Sequence, residues 1–414
     1  MRSGGVGDDP STPGKIKGRT PHIGGSSSAC GVVASWPVGA VAAPRAVDAV
    51  ERAVARATTA DELLEAVATE VGRSVPYDGA MWFGLDPTTL LAVNPARMEY
   101  LDHGYCLPFW HGEFHEHDAN LFSDLARDPQ PAATLRHATG DRPLRSARYR
   151  DFVQPQGFDD ELRAVFRTGG STWGAAALFR DKGRPAFDEQ DVALFTAISG
   201  IVADAFRTQA ARFAPPTLSS TPGLLLFDGD GTVIAANEAA TCWLGEIHGD
   251  GYCLGKVGTP LEPTASELEA AVPVVPLLAR ARAVAAGRVD GQARLRMRDR
   301  TGRWVVLHAS VLDGATDAGT IAVVVEPAKS GDIAPIIIEA YGLTPRERDV
   351  VRGIARGSST PQLAAELFLS AHTVRDYIKS VFEKVGVNSR AELVAKLFAE
   401  HYSDPFHETL VHLD

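Results

Sequence analysis

Four polar side chains recur about one helical turn apart near the C-terminus, and their chemistry suits a nucleic-acid surface. They are His372, Arg375, Asp376 and Lys379. Arginine and lysine can donate hydrogen bonds to N7 and O6 of guanine or to phosphate oxygens. An ordinary solvated helix face would show the same spacing. Spacing alone therefore leaves both interpretations open.

Local signals predict four short helices that would position this polar face. Thr344 and Glu347 form a capping-box pattern, with Pro345 between them at the first helical position. Further helix starts are predicted at Thr360-Pro361, Ser370 and Ser389, the last in a second capping box with Glu392. The third helix has an apolar stripe opposite its polar face, made by Val374, Tyr377, Ile378, Val381, Phe382 and Val385.

These helices resemble the LuxR/FixJ-type helix-turn-helix domain of bacterial regulators from residue 342 to about 402. The segments that carry the resemblance are Leu343-Thr344-Pro345-Arg346-Glu347, Leu363-Ala364-Ala365-Glu366-Leu367, Thr373-Val374-Arg375 and Lys384-Val385-Gly386-Val387-Asn388-Ser389-Arg390. Two departures are visible: Tyr377 replaces a frequent histidine, and Ser359-Thr360-Pro361 replaces the usual Asn-Lys-Glu.

The resemblance implies double-stranded DNA as a partner. The third helix would read bases through Arg375, Asp376 and Lys379, on the face that also carries His372. Phosphates would be held by Thr360, Thr373 and Lys384. The fourth helix commonly pairs two protomers in this family, which implies a homodimer.

The helical module is a small part of the chain, and the rest of the chain differs from it in charge. The 414 residues carry a net charge of −11, and 414 residues suit two to four domains. Residues 342 to 402 hold nine Lys or Arg against seven Asp or Glu, so the acidity lies upstream. No Cys-x-x-Cys pair and no apolar run of about eighteen residues occurs, which predicts a cytoplasmic protein without membrane contact.

The order of patterns predicts six segments. They are a disordered arm (1–44), a GAF-like sensor (45–212), a PAS-like sensor (213–328), a linker helix (329–341), the helix-turn-helix domain (342–403) and a tail (404–414). The linker carries Ile333, Ile336, Ile337 and Ile338, whose apolar side should pack on the sensors. We expect this linker to couple the sensors to the DNA-binding module.

Residues 45–212 resemble a GAF domain. The resemblance is carried by Val75-Pro76-Tyr77-Asp78-Gly79-Ala80, by Trp173-Gly174 and by Pro185-Ala186-Phe187-Asp188-Glu189-Gln190-Asp191. Asp188 should cap the closing helix. GAF domains hold a small molecule or pair two protomers, so an unidentified ligand and a purely dimerising role both remain open.

Residues 222–327 resemble a PAS domain, in which five antiparallel strands and a few helices form the fold. Asp228, Gly231, Val233, Asn237 and Ala240 match its start. Asp228-Gly229-Asp230-Gly231 would make the tight turn between two strands. Three further strands are predicted at 291–298, 303–311 and 320–325.

Two enzymatic alternatives compete with this interpretation. Asp228-Gly229-Asp230-Gly231-Thr232-Val233 also looks like the first motif of haloacid-dehalogenase-type phosphatases, although the later motifs on a parallel sheet are missing. His111, His115 and His117 could bind zinc or iron if their loop curls, but a polar loop over the sheet is favoured. We therefore assign no metal, no cofactor and no catalytic residue.

The sequence as a whole predicts a multidomain α+β protein, with GAF-like and PAS-like antiparallel sheets, followed by an all-α four-helix domain. The predicted function is a signal-responsive, DNA-binding transcriptional regulator rather than an enzyme. Two rivals stay open: an enzyme with a regulatory DNA-binding tail, and a constitutive DNA binder whose sensors only dimerise.

Overall fold

The computed structural model describes residues 44–101, 106–211, 221–248, 273–312 and 319–399. These residues belong to one compact unit. The predicted arm up to residue 43 and the predicted tail lie outside the described residues. No helix among the described ranges combines the length and the apolar character needed to cross a bilayer.

The first half of the chain forms a five-stranded antiparallel sheet in the order β2-β1-β5-β4-β3. Its strands are β1 (Gly79–Leu85), β2 (Ala92–Glu99), β3 (Ala132–Thr134), β4 (Phe158–Thr168) and β5 (Ser171–Asp181). Its helices are α1 (Pro44–Val54), α2 (Ala60–Ser74), α3 (Cys106–His115), α4 (Phe122–Leu125), α5 (Leu135–Thr139) and α6 (Glu189–Ala210). The predicted cap of the last helix is confirmed, because the Asp188 carboxylate accepts hydrogen bonds from the backbone N–H groups of Gln190 and Asp191.

Helices cover both faces of this sheet because neighbouring residues of a strand point in opposite directions. On β1, Trp82 packs among α2 and α6, with its ring 6.1 Å from that of Phe195. The next residue, Phe83, points to the other face and lies 5.4 Å from the rings of Trp110 and Phe122. Each such buried aromatic contributes roughly 2–3 kcal/mol. The sheet is therefore the shared wall of two apolar cores.

The histidine-rich stretch is helical up to His115, which corrects the predicted loop there, while His117 lies beyond the end of the helix. His111 and His115 lie one turn apart on α3 with stacked rings 4.3 Å between centroids. The His115 ring nitrogen Nε2 contacts the Ala279 carbonyl at 3.1 Å. The helix forms because its other face buries Phe109 and Trp110 under the sheet. In the described part of the chain no group of three or more His, Cys, Asp or Glu side chains is arranged around a metal position.

A buried ionic network that the sequence did not reveal holds α3 to the sheet. Arg163 Nη2 donates to Glu113 Oε2 at 2.8 Å, and Arg148 Nη2 donates to Glu161 Oε2 at 2.8 Å. All four side chains are at most 4 % exposed. The Arg163 guanidinium also lies 3.6 Å above the Phe122 ring. Since removing one partner would leave a buried charge unpaired, this network fixes the geometry of the core.

A second five-stranded antiparallel sheet follows, in the order β7-β6-β10-β9-β8. Its elements are β6 (Gly223–Phe227), β7 (Val233–Ala236), α7 (Glu238–His248), α8 (Val274–Ala285), β8 (Ala293–Arg298), β9 (Trp304–Val311) and β10 (Ile321–Pro327). The five predicted strands are confirmed, with β8 beginning two residues later than expected. The fold class is confirmed with them: two antiparallel sheets with helices precede a helical C-terminal domain.

The Asp228 motif builds a turn. The Asp228 carboxylate accepts hydrogen bonds from the backbone N–H groups of Asp230 and Thr232 at 2.9 and 2.8 Å. Asn237 Oδ1 accepts from Leu224 and Ala240 in the same way. The turn joins two antiparallel strands, whereas phosphatase chemistry of this type needs a parallel sheet. The motif's residues are therefore explained by hairpin geometry.

The segment predicted as a linker contains the helix α9 (Ser330–Ala340). Ile333, Ile336 and Ile337 are buried in the same apolar core as α2 and α6. α9 packs against α6 on one side and against the last helical segment of the C-terminal domain on the other. The apolar side of α9 therefore packs in the core next to the first sheet, and its role as a linker between sensors and DNA-binding module stays a prediction.

Candidate nucleic-acid interface

Four helices form the C-terminal domain: α10 (Pro345–Ala355), α11 (Thr360–Leu367), α12 (Ala371–Val385) and α13 (Arg390–Val394), which runs on as a π-helical turn over Ala395–Ala399. The predicted caps Thr344, Ser370 and Ser389 are confirmed. The start of α11 was placed one residue late. Ser359, and not Thr360, is its cap, because the Ser359 hydroxyl accepts from the backbone N–H of Gln362.

The predicted capping box of Ser389 and Glu392 is incomplete. Ser389 caps α13, but the Glu392 carboxylate accepts from the backbone N–H of Asn388 at 2.7 Å and does not return to Ser389. The carboxylate reaches one residue further back, so it stabilises the preceding turn as well as the helix start.

The apolar stripe of α12 holds the helix in the domain. Val374, Val381 and Val385 are buried, while Ile378 and Phe382 are half-buried and pack on the same core. Gly386 ends the helix with φ +70°, a conformation that glycine adopts without strain. Because one side of α12 is anchored along its whole length, the opposite side is held in a fixed orientation.

That opposite side is exposed. His372 and Asp376 have side chains 83 % and 66 % exposed, and His372 Nδ1 lies 2.9 Å from Asp376 Oδ2. Lys379 is 79 % exposed and lies 3.8 Å from Glu383. Arg375 is exposed between them and makes no ion pair with any residue that the structure describes. The predicted reading residues therefore share one open face, which we call the α12 face (His372, Arg375, Asp376 and Lys379).

The two predicted phosphate-holding threonines lie beside helix starts. Thr360, half-buried in the first turn of α11, accepts a hydrogen bond from Arg390 Nη2 at 2.9 Å through its hydroxyl. Thr373, half-buried in the first turn of α12, has its hydroxyl 2.9 Å from the Ser370 hydroxyl. Hydroxyls and backbone N–H groups at helix starts suit anion contacts. Their role towards phosphate remains a prediction.

Lys384 has an internal partner that the sequence did not suggest. Its Nζ lies 2.6 Å from Glu347 Oε2 and donates to the Gly342 carbonyl at 3.3 Å. Glu347 is 3 % exposed, and burial by itself would raise the pKa of its carboxyl. Hydrogen bonds from Lys384, Ser380 and Thr344 outweigh that effect and lower the pKa to about 2. Lys384 therefore ties the end of α12 to the start of α10.

The turn before α12 presents a large apolar side chain to solvent. Phe368 is 94 % exposed and has φ +55°. This left-handed backbone is uncommon outside glycine, asparagine and aspartate. No local signal marks it, so the sequence predicted the turn but not its geometry.

Polar contacts connect α9 to both the first sheet and α10. The Glu339 carboxylate accepts hydrogen bonds from the Ser171 hydroxyl on β5 and from Arg348 on α10. At the end of α9, Arg207 Nη1 of α6 donates to the Ala340 carbonyl at 2.5 Å. The start of the C-terminal domain is thus bonded directly to α6 and to the first sheet.

Comparison with known proteins finds relatives of the C-terminal domain. The family described as "Bacterial regulatory proteins, luxR family" matches residues 342–397. The spore germination protein GerE of Bacillus subtilis is 40 % identical over 55 residues, which cover 13 % of this chain and 74 % of GerE. The probable transcriptional regulatory protein NarL of Mycobacterium tuberculosis is 34 % identical over 119 residues, or 28 % of this chain. The matched region spans about half of NarL, 53 %.

Solved structures with similar parts include a GAF domain and a ligand-bound regulator on DNA. The GAF domain of a phosphoenolpyruvate-protein phosphotransferase from Coxiella burnetii is 15 % identical and covers 39 % of this chain and 89 % of that one, with a TM-score of 0.27. The Vibrio cholerae VqmA-ligand-DNA complex is 16 % identical and covers 44 % and 83 %, with a TM-score of 0.22.

Proposed function

The chain belongs to the luxR family of bacterial regulatory proteins, and from that premise we propose that it is a signal-responsive transcriptional regulator that binds double-stranded DNA through α12. The observation that carries this proposal is the α12 face. This face is exposed, and the opposite side of α12 is buried in the core of the domain that matches the family. Arg375 and Lys379 would contact base edges in the major groove. Thr360, Thr373 and Lys384 would contact phosphates.

We propose a homodimer that works in the cytoplasm, where the bacterial chromosome lies. Two α12 helices would then meet half-sites about one helical turn apart. A small molecule bound in the sensor region would change the spacing or the freedom of the two DNA-binding domains, and so their fit to those half-sites.

We assign the chain a regulatory and not a catalytic role. Relatives of its C-terminal domain carry the names of transcriptional regulators. The Asp228 carboxylate, which the phosphatase alternative would use as its nucleophile, is held by the backbone of its own turn.

Selection from a random DNA library with the purified full chain tests the proposal. We expect enrichment of a sequence with two related half-sites, bound as a two-protomer complex by native mass spectrometry. Affinity should fall steeply with salt, since phosphate contacts release counterions. A library from which no sequence is enriched, or binding that does not respond to substitutions on the α12 face, would refute the DNA-binding role.

A further inference from the structure

The turn between α11 and α12 carries a phenylalanine that the fold does not use. Phe368 is 94 % exposed, while its neighbours Leu367 and Leu369 pack against the apolar core. A phenyl ring stabilises a fold by being removed from water, and this ring stays in water. The ring of Phe368 therefore contributes little to the stability of the folded domain.

The backbone at this position is one that favours glycine. The backbone N–H of Leu369 donates to the Ala364 carbonyl at 2.9 Å, and that of Phe368 donates to the Ala365 carbonyl at 3.4 Å. These two bonds form a Schellman motif, which usually ends a helix with a left-handed glycine. Phe368 has φ +55°, so its β-carbon adds strain that glycine would avoid. A side chain that is both strained and exposed points to a role towards a partner.

Phe368 lies next to the surface proposed for DNA. It stands two residues before Ser370, whose hydroxyl caps α12, and four residues before His372 on the α12 face. In the proposed function, the N-terminal part of α12 enters the major groove. The turn that carries the phenyl ring would reach the DNA together with that end of the helix.

The surroundings of Phe368 fit a contact with DNA better than a contact with another protein. The exposed side chains near it in sequence are polar: Glu366, Ser370 and His372. The other large apolar side chains that are exposed in the described part of the chain lie outside the C-terminal domain: Tyr100, Leu144, Leu224, Ile234 and Leu312. A protein interface has an apolar centre built from several side chains, which this surface lacks. In the major groove, by contrast, the 5-methyl group of thymine offers a single apolar contact that a phenylalanine can make.

We propose that Phe368 packs against the 5-methyl group of one thymine in each half-site and is a specificity-determining residue of the DNA interface. This inference rests on the proposed function, because it adds one contact to the same interface. Arg375 and Lys379 would recognise hydrogen-bonding groups of the bases. Phe368 would recognise a methyl group, which a hydrogen-bond donor does not detect.

Replacing each thymine of the selected DNA site in turn by deoxyuridine tests the contact. Deoxyuridine lacks only the 5-methyl group, so base pairing is kept. For the full-chain parent we expect one thymine per half-site whose replacement weakens binding about fourfold, the effect of one buried methyl group. Phe368→Ala should bind the thymine and deoxyuridine sites equally at that position. Fluorescence anisotropy measures all four affinities.

Phe368→Gly separates this role from a structural one. Glycine adopts the left-handed backbone without strain, which offsets the greater freedom of the unfolded chain, so the urea midpoint should not fall below that of the parent. Affinity for the selected site should nevertheless fall roughly tenfold, since a contact is lost in both half-sites. Leu144→Ala removes an exposed apolar side chain outside the C-terminal domain and should change neither quantity.

Three results would overturn the proposal: the same methyl dependence in the parent and in Phe368→Ala, a selected site at which no thymine methyl affects binding, or variants that bind DNA like the parent but fail to alter transcription by purified RNA polymerase. The last result would assign the ring to a protein partner. The parent separates this inference from the proposed function. A parent that binds its selected site no better than the Phe368 variants refutes the inference alone, whereas a parent that enriches no site refutes the function and the inference with it.

Discussion

At the scale of single residues, α12 carries two cations that are exposed to solvent and a third, Lys384, that already has an internal partner. Arg375 and Lys379 are exposed, and the contacts of Lys379 with Glu383 are weak and solvated. Lys384 is held by the buried Glu347. Substitutions of these cations should therefore produce different combinations of binding loss and stability loss.

Replacing Arg375 by alanine should cost roughly 1–3 kcal/mol on the selected DNA site and relax the preference at one base pair, because a base contact is lost. Fluorescence anisotropy with the selected site and its single-base variants measures both effects. Arg352→Ala, which removes an exposed arginine from α10, is the control. Parent-like affinity of Arg375→Ala for every variant site would show that α12 does not read bases.

Replacing Lys384 by alanine should weaken all DNA sequences alike and also destabilise the domain. Its removal leaves the buried Glu347 without its cation, which should lower the free energy of unfolding by roughly 1–3 kcal/mol. Urea unfolding followed by circular dichroism measures this loss. Lys379→Ala is the matched control and should stay within about 0.5 kcal/mol of the parent. An unchanged midpoint for Lys384→Ala would contradict the structural role of the pair.

At the scale of elements, polar contacts between helix ends join the helices of the domain in addition to its apolar core. Glu347 belongs to the capping box of α10 and also accepts from Ser380 and Lys384 of α12. One carboxylate thus completes a helix start and joins two helices. Ser370 orients the first turn of α12, where Thr373 lies.

The lowered pKa of Glu347 predicts an acid-dependent loss of stability. Its carboxyl has a pKa of about 2 in the folded protein, against an ordinary value of 4.5. The ionised form therefore stabilises the fold above pH 4.5, and this stabilisation is lost as the pH falls from 4.5 to about 2. The difference in unfolding free energy between parent and Glu347→Gln should be largest near neutrality, roughly 3 kcal/mol, and should shrink through that window. A difference independent of pH would show that the carboxyl has an ordinary pKa.

At the scale of the whole molecule, α9 contacts both the first sheet and the DNA-binding domain. Its isoleucines complete the core of the first sheet, and Glu339 bonds to both Ser171 and Arg348. One helix therefore contacts both the first sheet and the DNA-binding domain. The physical basis for coupling two such regions is an element whose position both of them affect.

Glu339→Gln should loosen the attachment of the DNA-binding domain without unfolding either part. Losing the charge weakens the bonds to Ser171 and Arg348, so we expect initial proteolytic cleavage near residues 341–343 to accelerate roughly five- to tenfold. Limited proteolysis with mass spectrometry locates and times the cut. Glu51→Gln, on the exposed side of α1, is the control. If both variants are cut at the parental rate, Glu339 does not hold the junction.

Local chemistry in the sequence determined the helix starts and the face of α12, because caps and apolar spacing act within a few residues. It likewise determined the Asp228 turn and the strands of the second sheet. Only the tertiary structure decided which charges are paired, since Lys384 meets Glu347 from 37 residues away and Arg163 meets Glu113 from 50. It also decided that most of the histidine stretch is helical, because Phe109 and Trp110 of the same helix are buried under the sheet.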